Sequence, residues 1–181
     1  MIELDDYFNK NDFTLKNARH TLYYYPITDW HLGSGQCNLP YIRHELKELD
    51  DLKGTIIIHL LGDIFECADL RTGDSSFNQI WDVNEQLDNA RKLLAPILKK
   101  PNVFLRFACP GNHEARFKRM NFDLMQEFIG SLGSRMGGYY TAPNFKPSKQ
   151  GEENDYVAKG NFIDKFYING QAFRIFGRHG N

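Results

Sequence analysis

The chain has 181 residues, of which 41% are apolar and 25% charged. Those fractions are ordinary for a soluble globular domain, and they exclude disorder, coiled coil and collagen as descriptions of the whole chain. With 22 Lys and Arg against 23 Asp and Glu, the net charge is −1. That balance excludes a strongly basic nucleic-acid binder but leaves room for a local basic groove.

The first dozen residues are polar and read as a surface lead-in. Residues 22–28, LYYYPIT, are rich in aromatic and β-branched types and predict a strand. A polar glycine loop, Asp29 to Gly35, follows it. Pro40 stands where a helix can start, and Ile42, Leu46 and Leu49 continue at helical spacing. Residues 55–61, TIIIHLL, form a short apolar run, as expected of a strand buried on both faces. Residues 68–79 are polar and loop-like. From Trp81 to Lys99, Val83, Leu87, Ala90, Leu94 and Ile97 share one face of an amphipathic helix, with Pro96 positioned to kink its last turn. Residues 103–109 predict a third strand, and residues 122–132 a further helix.

Strand, loop and helix repeated in this way imply parallel strands joined by crossover helices. Residues 143–161 break the rhythm with a polar excursion. Two apolar segments, 162–168 and 171–176, then flank Asn169-Gly170, a strong hairpin signal. The whole chain, 1–181, reads as one domain.

The three cysteines, Cys37, Cys67 and Cys109, are too few and too scattered for a disulfide framework and predict reduced thiols. The N-terminus lacks a signal-peptide pattern, and the longest apolar run is far short of the ~20 residues a membrane helix needs. The expected location is the cytoplasm, with no membrane partner.

Chemistry-bearing residues collect directly after the predicted strands, where open α/β sheets bind ligands. The clusters are Asp29-Trp30-His31, then Gly62-Asp63-Ile64-Phe65-Glu66, then Gly111-Asn112-His113-Glu114. A fourth, Gly177-Arg178-His179-Gly180-Asn181, follows the hairpin. Carboxylate, imidazole and amide together suit a borderline divalent metal such as Mn, Fe, Zn or Ni. Taken singly, each of these residues has a plain structural use. Asp29 could form a turn, and Glu114 could complement a helix dipole. His59, inside an apolar strand, reads as a core histidine, and His20 and His44 as surface residues. Tyr23, Tyr24 and Tyr25 read as strand packing. The basic groups at Lys99-Lys100 and Arg116–Arg119 read as solvated faces.

The ordered set DWH, GDIFE and GNHE resembles the calcineurin-like metallophosphoesterase family, over roughly residues 22 to 181. The wording PITDWHLGS and PGNHEAR is most similar to phage and bacterial members near the DNA-repair exonuclease branch. The resemblance implies an α/β fold, a four-layer αββα sandwich with mixed sheets. It also implies two divalent metal ions, with manganese preferred. By motif position, Asp29 and His31 would bind the first metal and Asp63 would bridge both. Asn112 and His179 would bind the second. His113 would stand near the leaving group, oriented by Glu114, while Glu66 takes a support position. Arg116, Arg71 and Arg178 are candidates for touching substrate phosphate. The implied activity is hydrolysis of phosphate esters, phosphodiesters above all, by a hydroxide bridging the metals. Nucleic acid is a candidate substrate.

The family's closing GHxH does not occur in this sequence. Its absence predicts a domain truncated at its C-terminus, because the upstream motifs are intact. A non-catalytic binding module on the same fold is the competing expectation. A Cys or Ser nucleophile lacks support, since no GxSxG or comparable signature is present.

Overall fold

The computed structural model describes residues 9–15, 22–68, 77–118, 120–132, 139–140, 162–168 and 171–177. Seven strands and four helices lie among them. In chain order they are β1 (Asn9–Leu15), β2 (Leu22–Ile27), α1 (Leu39–Asp51), β3 (Thr55–Leu60), α2 (Val83–Leu98), β4 (Val103–Ala108), α3 (Asn112–Lys118), α4 (Leu124–Ser131), β5 (Tyr139–Tyr140), β6 (Phe162–Ile168) and β7 (Gln171–Gly177).

Four strands make an all-parallel sheet in the order β2-β3-β4-β5. Its centre, β3, carries Ile56, Ile57 and Ile58, none of which has measurable exposure. Burying each contributes about 1.5–3 kcal/mol. The apolar run is continuous because both faces of this strand are covered. Pro26 is tolerated in β2 because that strand is the sheet's edge, where a missing N–H breaks no inner ladder. The register shifts by one residue between Ile58 and His59, so β4 carries a bulge at Arg106 just before the residues that enter the site.

The crossover helices are α1 and α2. Asn38 caps α1 by accepting from the Tyr41 amide, and Ile42, Leu46 and Leu49 face the core. Asp82 and Glu85 form a reciprocal capping box on α2. Pro96 lies inside α2, which runs on to Leu98. Besides the expected apolar stripe, α2 buries Gln86. Its side chain accepts from the Cys67 amide at 3.2 Å and donates to the Trp81 carbonyl at 2.9 Å. A Cβ at Gly33, where φ is +98°, would overlap that glutamine at 2.6 Å. The smallest residue is needed where the first loop crosses α2.

The second sheet has the order β1-β6-β7 and is mixed: β1 pairs parallel with β6, and β6 antiparallel with β7. The hairpin pairing expected from the sequence is present. Of the dozen residues expected as a surface lead-in, 9–12 belong to a strand, Asn9–Leu15, in full register with β6, and 1–8 lie outside the described residues. The strand's polar sequence, NKNDFTL, hides this because parallel pairing uses backbone groups that every residue carries. The sheets meet where Ile175 of β7 packs against Leu61 and Cys109, which follow β3 and β4. The architecture is α/β, with helices on a parallel sheet and a second, mixed sheet, as the sequence predicts.

His59 is a buried core histidine whose Nδ1 lies 3.1 Å from the Tyr24 hydroxyl. All three cysteines are free thiols, and Cys67 and Cys109 are buried. Among the described residues, no helix is long and apolar enough to cross a membrane.

Candidate metal centre

Beyond β2 and β3 the chain continues the parallel ladder without being regular strand. The amides of Asp29, His31 and Leu32 donate to the carbonyls of Gly62, Asp63 and Ile64 at 3.2, 3.0 and 2.9 Å. This lacing sets the first two motifs side by side. It requires left-handed backbone at three non-glycine residues, with φ of +55° at Asp29, +47° at His31 and +51° at Asp63. Each such conformation costs of order 1–3 kcal/mol, and strain of this kind clusters at functional sites.

Gly62, with φ +90°, and Gly111 pass backbone to backbone. A Cβ on Gly62 would lie 2.6 Å from the Gly111 Cα. A Cβ on Gly111 would overlap the Asp63 carboxylate outright. The glycines of GD and GN are therefore needed for close approach, which brings the third motif onto the second.

Asp63 is 4% exposed. Its Oδ1 accepts from the His113 amide at 2.9 Å. Glu114, 1% exposed, accepts from the amides of Asp63 (2.9 Å), Gly111 (2.7 Å) and Phe65 (3.0 Å). Burial raises the Glu114 pKa and the nearby Asp63 charge adds to this, while its backbone hydrogen bonds oppose them. The motif reading placed Glu114 on the His113 ring. In the structure its carboxylate instead ties the turns of the second and third motifs together.

Glu66 meets the His113 ring. His113 Nδ1 donates to the Glu66 carbonyl at 2.7 Å, and the Glu66 carboxylate lies 3.3 Å from His31 Nδ1 and 3.7 Å from His113 Nδ1. Arg116 donates to the same carbonyl at 2.9 Å, and its other terminal nitrogen is 3.2 Å from His113 Nε2. A guanidinium can only donate, so Nε2 accepts and the ring proton sits on Nδ1. Burial is the largest cause holding His113 below the ordinary histidine pKa. The Glu66 carbonyl opposes that shift, and the Arg116 charge adds to it. The neutral ring is therefore favoured near pH 7.

His31, Asp63 and His113 each offer a ligand atom, and the three atoms lie within 4.8 Å of one another. The two imidazole rings meet edge to face with centroids 4.4 Å apart. Asp29 stands at the more exposed rim, with its Oδ1 3.8 Å from His31 Nε2 and its Oδ2 accepting from the Thr28 hydroxyl at 2.6 Å. Two imidazoles with buried and exposed carboxylates form the mixed N/O set that a borderline divalent ion takes, so the residues fit such an ion. Asn112 opens α3 beside this cluster and is exposed. His179, Arg178 and Arg71 lie outside the described residues.

A cleft of about 540 Å³ opens over the cluster, with Asp29, His31, Glu66 and His113 in its lining. Ser34, Gln36, Asn38 and Asn78 add a neutral polar wall that the motifs do not announce. Glu66 was legible only as a support position. Its signal was its place in GDIFE, but the contact with both histidines needed the fold.

The profile of the calcineurin-like phosphoesterase family matches residues 26–181. The chain belongs to that family, whose chemistry is metal-dependent hydrolysis of phosphate esters. No curated protein and no solved structure matches the chain significantly.

Proposed function

We propose that this chain hydrolyses phosphodiesters at a dinuclear metal centre, with manganese as the preferred ion. The observation that carries the proposal is the convergence of His31, Asp63 and His113 within 4.8 Å, below an open cleft. Asp29 and His31 would hold one ion, Asn112 and His179 the other, and Asp63 would serve both. Bound divalent ions supply the charge that acidifies water and offsets negative charge on the phosphoryl oxygens.

The chain's own residues do the rest. Asp63 is held in place through its main chain by Glu114 and through its side chain by the His113 amide. With Nδ1 engaged by the Glu66 carbonyl, Nε2 is the His113 nitrogen that would take up a proton, in place of the Arg116 hydrogen bond, and hand it to the leaving oxygen. The adjacent Arg116 makes the imidazolium a stronger acid once formed. A positioned acid of this kind typically contributes about 10²–10⁴-fold. Arg71 and Arg178 remain candidates for the phosphate itself.

The test is hydrolysis of bis(p-nitrophenyl) phosphate with and without Mn²⁺. The reading predicts metal-dependent turnover that falls about 10²–10⁴-fold in His113→Ala. Equal background from both proteins would leave a binding module on the same fold.

A further inference from the structure

A second cleft of about 280 Å³ adjoins the first, and Asp29, Trp30 and Asn38 line both. Its remaining wall includes Tyr25, Tyr41 and Glu45. Three aromatic side chains and a carboxylate thus line a hollow that begins at a metal-binding residue. Among the described residues lining it, none is cationic.

The Tyr25 and Tyr41 phenols both hydrogen-bond toward Glu45. Burial and then the Glu45 charge push the Tyr25 phenol up to about 12. The Tyr41 phenol is raised chiefly by its hydrogen bond to Glu45. Glu48 adds to both shifts, so the field across this hollow is negative. A metal bound at Asp29 would draw on that carboxylate, leaving Glu45 to meet a ligand's charge.

We propose that this second cleft is a subsite for an alkylammonium group carried by the phosphodiester substrate. Aromatic faces with a carboxylate nearby attract such cations, and the attraction strengthens as the site loses water. An anionic nucleic-acid strand would gain no counter-charge there, whereas strand tracking needs a basic groove. The inference rests on the phosphoesterase reading for the reacting group, but its binding component stands without it.

Two measurements test it. The first compares turnover of p-nitrophenyl phosphocholine with that of bis(p-nitrophenyl) phosphate in the wild type, Glu45→Gln and Tyr41→Ala. The expected result is a roughly tenfold fall in the preference for the choline ester in each variant, with the rate on bis(p-nitrophenyl) phosphate kept. The second is calorimetric titration of metal-free protein with choline. Saturable binding by the wild type, weakened in both variants, supports the subsite even if neither ester turns over, and in that case only the hydrolase reading fails. Absent binding, or binding equal in all three proteins, overturns the subsite whatever the turnover. Co-sedimentation with phosphatidylcholine vesicles would assign the cation to a lipid headgroup. Binding to soluble choline alone would assign it to a small diester.

Discussion

The carboxylate of Glu114 accepts the backbone amide of Asp63 at 2.9 Å across fifty-one residues of sequence. Through its bonds to Gly111 and Phe65 it also closes the turn that follows β3 onto the turn that follows β4. This carboxylate is the mechanical link between two of the three motifs that hold the candidate ligands. Glu114→Gln keeps its shape but turns one acceptor into a donor facing an amide. The expected cost is about 1–3 kcal/mol of folding stability, read from denaturant unfolding. Metal affinity should fall about 10–100-fold, read by titration. Unchanged stability together with unchanged affinity would contradict the link.

The overlap of a Gly111 Cβ with the Asp63 carboxylate gives a second prediction. Gly111→Ala forces Asp63 to move, and the crowding costs about 1–3 kcal/mol. Activity should fall much further than stability, because the displaced carboxylate is the one proposed to hold the metal. A stable, fully active Gly111→Ala protein would show that Asp63 has slack that the geometry denies.

The Arg116 guanidinium rests on the Glu66 carbonyl and on His113 Nε2. Its expected effect falls on the chemical step, since it acts through the ring. Arg116→Ala should lower kcat roughly tenfold or more while KM changes little, and Arg116→Lys should recover part of the loss. A variant that raises KM alone would instead place the guanidinium on substrate phosphate.

Most of the parallel sheet and its helices were legible in the sequence. Ile56 to Ile58, and the stripe from Leu87 to Ile97, are patterns that only a doubly covered strand and a one-sided helix satisfy. β1 was not legible, because NKNDFTL lacks the apolar pattern that marks a strand, while its pairing with β6 uses backbone groups that every residue carries. The candidate ligands stood out by motif. The partners of Glu114 and Glu66 did not, since both carboxylates are used by groups about fifty residues away along the chain. Gln86 gave no sign either: a buried glutamine is read correctly only once the Cys67 amide and the Trp81 carbonyl are seen to need it.

The thiols give a prediction with a pH sign. Burial raises the Cys109 pKa, and the charges of Glu114 and Asp63 add to the shift. A group whose folded pKa lies above its unfolded value stabilises fully below the unfolded value, here 9.0, and that contribution is lost as pH rises further. Between pH 8 and pH 10 the wild type should therefore lose more unfolding free energy than Cys109→Ala. Under native conditions iodoacetamide should label Cys37, which lines the larger cleft, well before buried Cys67 and Cys109. Equal labelling of all three would contradict the packing.

The central claim is that Asp63, with His31, organises a divalent metal centre beside which His113 stands as the proton donor. Titration of the protein with Mn²⁺, followed by the loss of the free-ion electron paramagnetic resonance signal, tests it most directly. The account predicts saturable binding by the wild type and affinity at least tenfold weaker in Asp63→Asn, with the fold retained by circular dichroism. Binding of equal strength in both proteins, or none in either, would contradict it.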